Sequence, residues 1–152
     1  MEFKNEKEVA KMAGMLLTIV LQDKIKTLGF KEHYENSGKK ISNAEAVGDY
    51  KVGKAPNNML KYYMNKLVIK MPAYGFIQHY GVSGIRGSGS RTRHKPRTTT
   101  YDFRYHNYNL PAKDYIDKAI SRSKVVPFVM ENITKIRGKE IMVSLKNFIE
   151  KE

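Results

Sequence analysis

Apolar side chains recur at spacings of three and four residues over the first 30 positions, which is the period of an amphipathic helix. Asn5 followed by Glu8 resembles a capping box at the start of such a helix, and Gly29 suits its C-terminal end. We therefore predict a long N-terminal helix. Its apolar stripe consists of Val9, Met12, Ala13, Leu16, Ile19, Val20 and, after a slip, Ile25 and Leu28.

The helical period breaks after Gly29, and polar residues with scattered glycines occupy residues 30–58. A loop or weak strand is indicated around residues 40–47, and the rest of that segment stays unassigned. Aromatic and β-branched residues then predict two strands, over residues 60–70 and 74–80. Pro72 lies between them and predicts a turn or bend, because proline interrupts a strand ladder.

The second half of the chain changes in residue composition twice. Residues 82–97 are rich in Gly, Ser and Arg and predict a flexible basic loop, whereas Thr, Tyr and Phe predict a third strand over residues 98–108. Two helical segments follow, and we expect Pro111 to open the first and Pro127 the second, since proline is tolerated in a first turn. Gly138 marks an expected bend or break in the last helix.

This order of elements predicts an α+β fold, with a long N-terminal helix packed on a small, mostly antiparallel sheet and with C-terminal helices. An alternating strand–helix–strand pattern is missing, which argues against an open parallel sheet with a nucleotide site. The chain of 152 residues has the usual size of one domain. We predict a single domain over residues 1–152 that carries the flexible basic loop 82–97.

Composition narrows the class of protein. The chain has no cysteine, which excludes disulfides, thiolate metal sites and thiol catalysis, and it suits assembly in a reducing cytoplasm. Its apolar runs are shorter than the roughly 18 to 20 residues that a bilayer span needs, and its first residues are charged, unlike a signal peptide. We expect a soluble, unprocessed protein with no membrane partner.

Positive charge is concentrated in the central third of the chain. The net charge is +13, yet no Asp or Glu occurs between Asp49 and Asp102. Such a cationic block attracts phosphate, an acidic protein face or an anionic membrane, and charge alone does not choose among them. The block contains Lys51, Lys54, Lys61, Lys66, Lys70, Arg86, Arg91, Arg93, Lys95 and Arg97.

Patterns for catalysis or metal binding are weak. The four histidines, at positions 33, 79, 94 and 106, never occur as the i, i+3 or i, i+4 pairs that share a metal on a helix. Gly87-Ser-Gly-Ser90 lacks the strand and helix that flank a nucleophile elbow, and no acidic cluster accompanies the basic block. We therefore predict no enzymatic activity, no metal site and no cofactor.

Two phosphate-binding patterns are also incomplete. The glycines of residues 81–89 are not followed by the Gly-Lys-Ser/Thr and helix of a P-loop. Gly84-Ile-Arg-Gly87 matches the Gly-x-x-Gly clamp of KH domains, but that clamp joins two helices and this one follows a predicted strand.

The basic loop has aromatic residues on either side, and this pattern leaves two interpretations. Cations interleaved with aromatic rings are typical of single-stranded nucleic acid binding, in which cations neutralise phosphates and rings stack on bases. Alternatively, the aromatic residues pack a core and the loop is a docking arm that orders against a partner or lines a lumen. The cations are Arg86, Arg91, Arg93, Lys95 and Arg97, and the aromatic residues are Tyr74, Phe76, Tyr80, Tyr101, Phe103, Tyr105 and Tyr108.

Three segments carry a further pattern in order and spacing: Ala55-Pro-Asn-Asn-Met-Leu60, Tyr74-Gly-Phe-Ile-Gln-His-Tyr-Gly81 and Leu110-Pro-Ala-Lys-Asp-Tyr-Ile-Asp-Lys-Ala-Ile120. Together they resemble the neck and tail-completion (head–tail connector) family of tailed bacteriophages. That family has an Ala-Pro-x-x-Thr-Gly-x-Leu segment, a tyrosine and hydrophobic stretch ending in Glu-Phe/Tyr-Gly before a variable loop, and a Pro-Ala-Arg-x-Phe-x-x-x-Ala helix start.

The resemblance implies an α+β virion subunit without enzymatic activity. Such a subunit forms a homomeric ring at the head-to-tail junction, beside other neck, portal-side or tail proteins and the packaged DNA. On this hypothesis, the five cations of residues 82–97 contact neighbouring subunits or DNA. The alternative is a small basic nucleic-acid-binding protein, and a nuclease is a more remote third candidate.

Overall fold

The computed structural model describes residues 2–30, 40–54, 59–94 and 96–150. The fold is α+β, as the sequence predicts: a long N-terminal helix, antiparallel strand pairs and C-terminal helices. Its elements are α1 (Glu6–Thr27), a 3₁₀ turn (Ile41–Asn43), β1 (Glu45–Lys54), β2 (Leu60–Lys70), α2 (Ala73–Tyr80), β3 (Val82–Arg86), β4 (Gly89–Arg93), β5 (Thr99–Phe103), β6 (His106–Leu110), α3 (Tyr115–Ser123) and α4 (Val125–Ile149).

The predicted single domain contains two compact units. The first unit, called here the helical unit, consists of Met1–Pro72 and Tyr115–Glu152. The second unit, Ala73–Asp114, contains α2 and strands β3 to β6. Within the described part of the chain, no helix has both the length and the apolar character needed to cross a bilayer.

Helix α1 begins and ends as the sequence predicts. The side-chain oxygen of Asn5 accepts a hydrogen bond from the backbone N–H of Glu8 at 3.1 Å, which satisfies one of the free donors of the first turn. Gly29 follows the helix with a φ of +57°, a conformation that glycine adopts without strain.

The predicted apolar stripe of α1 is only partly correct. Val9, Ala13 and Ile25 are buried, but Ile19 is 64% exposed. The buried face also includes the small residues Ala10 and Gly14, together with Leu17 and Leu21. Small side chains face β1 because the helix and the strand approach closely, and small residues contribute little to a hydrophobic pattern.

The close approach is seen at two glycines. A Cβ atom on Gly48 of β1 would lie 2.2 Å from the carbonyl oxygen of Ala10, and one on Gly14 would lie 2.7 Å from that of Ala46. Beside this contact, the backbone N–H of Ala46 donates to the Thr18 hydroxyl at 2.8 Å. The N-terminal helix therefore binds β1 through backbone as well as side chains.

Strands β1 and β2 form an antiparallel pair with one irregularity. The register passes from Asp49 opposite Lys66 to Tyr50 opposite Met64, which leaves Asn65 as an extra residue. Next to this bulge the Met64 N–H donates to the buried carboxylate of Glu6 at 2.7 Å. Strand β2 confirms the prediction over residues 60–70, whereas most of β1 was left unassigned.

The helical unit closes with α3 and α4. Tyr115 and Ala119 of α3 are buried, and the Tyr115 hydroxyl contacts the sulfur of Met71 at 3.3 Å. Pro111 does not open α3, contrary to the prediction, because Asp114 has a φ of +48° and the helix starts at the next residue. Pro127 does lie in the first turn of α4.

Helix α4 runs without a break through Gly138, so the expected break is not present. Its first half contacts α1 and the residues that precede α1. Phe128 packs edge-on against Phe3 with ring centroids 5.6 Å apart, and Arg137 donates to Glu6 at 2.7 Å. The hydrogen bond to the Glu6 carboxylate raises the pKa of Arg137.

The second unit differs most from the prediction. Residues 74–80 form helix α2 and not a strand. Its buried residues, Gly75 and His79, are four apart, a helical spacing that the aromatic residues around them obscured. The single strand expected over residues 98–108 is two strands, β5 and β6, separated by Arg104 and Tyr105.

The predicted flexible loop over residues 82–97 contains strands β3 and β4. Strand β3 pairs antiparallel with β6, and β4 pairs antiparallel with β5. The two strand pairs follow one another along the chain, with β3 and β4 opposite β5 and β6, and we call them together the ribbon (residues 82–94 and 96–110). A run of Gly, Ser and Arg has low strand propensity, and pairing with the aromatic residues of β5 and β6 overrides it.

Candidate functional site

The register of the ribbon separates its side chains into two faces of different chemistry. Direct partners across an antiparallel pair project to the same side, and successive residues alternate between sides. In β4 and β5, one side therefore carries the pairs Gly89–Phe103, Arg91–Tyr101 and Arg93–Thr99. The other side carries Ser90–Asp102 and Thr92–Thr100, whose hydroxyl oxygens are 2.9 Å apart.

Strands β3 and β6 also divide their side chains between two sides. One side carries Val82–Leu110, Gly84–Tyr108 and Arg86–His106, and the other carries Ser83–Asn109 and Ile85–Asn107. The Arg86 guanidinium carbon lies 4.3 Å from the centre of the Phe103 ring, a cation–π contact that joins the two strand pairs. We call the side of β4 and β5 that holds Arg91, Arg93, Tyr101 and Phe103 the arginine–aromatic face, and Arg86 reaches this face through its contact with Phe103.

Two glycines of the ribbon are covered by aromatic rings. A Cβ atom on Gly84 would lie 2.8 Å from the Tyr108 hydroxyl oxygen, and one on Gly89 would lie 3.0 Å from the Phe103 ring. A ring packed over a cross-strand glycine stabilises a strand pair at a position that has no side chain of its own. Tyr108 therefore packs against Gly84 and Phe103 against Gly89, and the Arg86 guanidinium covers the Phe103 ring.

Tyr101 differs from these two rings because its partner across the strands is an arginine. The Tyr101 side chain is 47% exposed. Together with Arg91, Thr92 and Arg93 it lines an open groove of about 300 Å³. Arg91 and Arg93 are two residues apart on one strand, so their backbones are roughly 7 Å apart on the same side. This groove combines two exposed cations with one available ring face.

No residue of strands β3 to β6 is buried. The sequence had offered core packing as one explanation for Tyr101, Phe103 and Tyr108. In the structure Tyr101 and Tyr108 are exposed and Phe103 is half-buried, so none of the three lies in a buried core within the described residues. A two-stranded ribbon is marginally stable in water by itself. Its exposed side chains are available to a ligand or a neighbouring protein.

The five predicted site residues separate in the structure. Arg91 and Arg93 share the arginine–aromatic face, and Arg86 contacts Phe103 of that face. Arg97 is exposed in the turn between β4 and β5, and Lys95 lies outside the described residues. Sequence reasoning named the aromatic residues but did not place them on the same face as the arginines. The alternation of Arg91, Arg93, Tyr101 and Phe103 was the available signal, since each pair is two residues apart.

A second exposed surface lies on the C-terminal half of α4. Ile141, Leu145 and Phe148 follow one another at i, i+4 and i+7, and Met142 and Ile149 flank them, so the five form one stripe. Their side chains are 53–70% exposed. These apolar residues recur at helical spacing, but the helical unit does not cover them. We call this surface the α4 stripe.

An apolar groove of about 530 Å³ lies in the helical unit between the start of β2, the start of α1 and the middle of α4. Exposed Met59, Leu60 and Val143 are in its lining. Lys61 and Glu140 form an ion pair across it at 2.5 Å, and this hydrogen bond raises the pKa of Lys61. The groove adds to the uncovered apolar surface near the α4 stripe.

Comparison with protein-family models, curated proteins and solved structures finds no match to this chain. The ribbon and the α4 stripe are therefore the structural features from which a function is proposed.

Proposed function

We propose that this protein is a structural subunit of a bacteriophage virion that assembles into a homomeric ring at the head-to-tail junction. The observation that carries the proposal is the α4 stripe, in which five large apolar side chains are more than half exposed. Contiguous apolar surface of this kind marks a protein–protein contact in a soluble protein. A ring of identical subunits supplies such a contact for every copy.

The ribbon and the fold class support the same proposal. A ring subunit needs a rigid body and segments that reach its neighbours, and a ribbon without a buried residue suits the second role. The α+β fold, with a long helix against antiparallel strands, is the one that the resemblance to neck and tail-completion proteins implies. On this proposal the protein is made in the host cytoplasm, resides in the virion and has no enzymatic activity.

The partners proposed for the ring are further copies of the chain and other neck, portal-side or tail proteins, with the packaged DNA passing through the channel. Arg86, Arg91, Arg93, Lys95 and Arg97 are proposed to contact a neighbour or DNA. The alternative function, a small basic nucleic-acid-binding protein, is favoured by one specific observation, the arginine–aromatic face of the ribbon.

The test of the ring is the mass of the purified protein by native mass spectrometry and light scattering, alone and with neck partners. We expect a discrete oligomer of ring size, or one that forms when a neck partner is added. Leu145→Glu and Phe148→Glu place a charge in the α4 stripe and should reduce the oligomer to a monomer. A persistent monomer in every mixture would contradict the proposal.

Asn147→Glu is the matched control for these two variants. Asn147 is exposed on the same turn of α4, outside the α4 stripe, so the same added charge should leave the oligomer intact. Equal loss of the oligomer in all three variants would indicate a general effect of charge on α4 and would remove the α4 stripe from the proposal.

A further inference from the structure

The groove formed by Arg91, Arg93 and Tyr101 has the chemistry of a binding site for a specific class of polymer. Arg91 and Arg93 project from one face of β4, and Tyr101 of β5 is the direct cross-strand partner of Arg91. The three side chains therefore present two guanidinium groups on the same face as one aromatic ring. Tyr101 is 47% exposed, so its ring is accessible to a planar group of a ligand.

We propose that this groove binds single-stranded nucleic acid, with one base stacked on Tyr101 and the adjoining phosphates paired with Arg91 and Arg93. Arginine forms bidentate hydrogen bonds with phosphate oxygens, and an aromatic ring stacks on any base because every base has a π face. The inference depends on the ribbon alone and is independent of the proposed ring.

Charge favours a polyanion as the occupant. Strands β3 to β6 contain three arginines, of which Arg91 and Arg93 lie on the arginine–aromatic face, and one carboxylate, that of Asp102, which lies on the opposite face of β4 and β5. No carboxylate on the arginine–aromatic face therefore neutralises Arg91 or Arg93 within the described ribbon. A phosphate backbone supplies a regular row of negative charges that matches cations repeated along a strand.

The exposed ring favours a single strand over a duplex and over an acidic protein surface. The bases of a duplex are stacked on one another and offer no face to a side chain, whereas unpaired bases do. A carboxylate-rich protein surface would pair with the arginines but would leave Tyr101 without a stacking partner. The ring is thus the feature that distinguishes the three ligands.

The neighbouring residues hold the groove in a fixed shape. The hydroxyls of Thr92 and Thr100 lie 2.9 Å apart and join β4 to β5 beside Arg91, Arg93 and Tyr101. Phe103 lies over Gly89 one pair further along, under the Arg86 guanidinium. Because the Arg86 guanidinium already contacts the Phe103 ring, we assign the phosphate contacts to Arg91 and Arg93.

The experiment is fluorescence anisotropy of a labelled oligothymidylate of about 20 nucleotides, titrated with the full chain at several salt concentrations. The probes for comparison are a duplex of the same length and polyglutamate as a competitor. We expect the wild-type protein to bind the single strand more tightly than the duplex, and polyglutamate to compete weakly.

Two variants separate the contributions of charge and stacking. The double variant Arg91→Ser with Arg93→Ser should weaken single-strand binding about ten-fold or more and reduce the slope of log affinity against log salt by about 1.4, since each phosphate contact contributes about 0.7. Tyr101→Leu should weaken it about ten-fold with an unchanged slope, and Tyr101→Phe should retain binding because the ring remains.

The matched control for charge is Lys51→Ser with Lys66→Ser, which removes two exposed cations from β1 and β2. We expect this control to change affinity by less than about three-fold, because the two lysines lie outside the groove. Circular dichroism of every variant shows whether the fold is kept. Comparison of Tyr101→Phe with Tyr101→Leu shows whether the loss of binding is caused by loss of the aromatic ring.

Five results would overturn the inference, and the first four concern binding of the single strand. These are no binding of the single strand, equal weakening by the arginine and lysine double variants, unchanged binding by Tyr101→Leu, and competition by polyglutamate as strong as that by unlabelled single strand. Preference for the duplex would do the same, because phosphate contacts alone would then explain binding. The mass of the assembled protein is measured separately, so failure here leaves the ring test unaffected.

Discussion

The contact between α1 and β1 and the ribbon are both organised around glycines, but the glycines serve different purposes. Gly48 lets two backbones meet in the interior of the helical unit. Gly84 and Gly89 accept aromatic rings on an exposed strand pair. In the first region the packing is formed inside the unit, whereas in the second the ribbon leaves both of its faces accessible. The helical unit therefore supplies stability, and the ribbon supplies a surface for other molecules.

The largest expected difference between the two regions concerns glycine substitution. In Gly48→Ala the new Cβ atom would lie 2.2 Å from the oxygen and 2.8 Å from the Cα atom of Ala10, so backbone has to move. We expect a loss of about 3 kcal/mol in the free energy of unfolding. Gly87→Ala, where no atom lies within 4 Å, should change it by less than about 0.5 kcal/mol.

Chemical denaturation followed by circular dichroism measures both glycine variants. Equal stability of Gly48→Ala and Gly87→Ala would show that α1 and β1 are not in backbone contact, and the comparison between the regions would then fail.

Truncation of a side chain should also destabilise the helical unit more than the ribbon, with a loss of free energy of unfolding similar to or slightly smaller than that of Gly48→Ala. Leu21 is fully buried on α1, and Leu21→Ala should lower the free energy of unfolding by about 2 to 3 kcal/mol. Tyr101→Ala removes an exposed ring from the ribbon and should lower it by less than about 0.5 kcal/mol. A large loss for Tyr101→Ala in the same denaturation measurement would indicate that the ring has a structural role.

A moderate effect is expected at the buried carboxylate of Glu6, which joins three elements. It accepts from the Met64 N–H at 2.7 Å and from Arg137 Nε at 2.7 Å. Glu6→Gln keeps an oxygen for one donor but removes the charge, so we expect a loss of about 1 to 2 kcal/mol in the free energy of unfolding. Asp102→Asn on the ribbon is the exposed counterpart and should be neutral in the same thermal or chemical melt.

The smallest effect is expected for the ion pair between Lys61 and Glu140. Both side chains are at least one-third exposed, so Lys61→Gln should cost about 0.5 kcal/mol. The hydrogen bond to Glu140 raises the pKa of Lys61 above its ordinary value of 10.5. The contribution is therefore present below pH 10.5 and is lost as the pH rises through the folded-state pKa. The melting temperatures of wild type and Lys61→Gln should differ at neutral pH and should converge at strongly alkaline pH.

Local patterns were sufficient for the elements whose signal is periodic and continuous. The three- and four-residue spacing predicted α1, and the Asn5–Glu8 pair and Gly29 predicted its ends. The apolar and aromatic run over residues 60–70 predicted β2, and Pro127 marked the first turn of α4. The same spacing placed the stripe of α1 incorrectly, because Ala10 and Gly14 face the strand and small residues have little hydrophobic signal.

The candidate site was predicted in its residues but not in its arrangement. Arg86, Arg91 and Arg93 were named as loop residues, and they belong to strands. Their β propensity is low by itself, so the strands depend on cross-strand partners that lie 6 to 20 residues away. Register is a relation between distant residues, and a one-residue shift would move every side chain to the other face.

The sequence by itself determined the α+β class, the N-terminal helix and the concentration of positive charge in the central third of the chain, because period and charge are local properties of the residues. The tertiary structure decided which face of α1 is buried, where two backbones meet, which apolar positions of α4 stay uncovered and which arginines share a face with Tyr101. Those features depend on close approach and register between segments that are distant in sequence, and no local pattern carries that information.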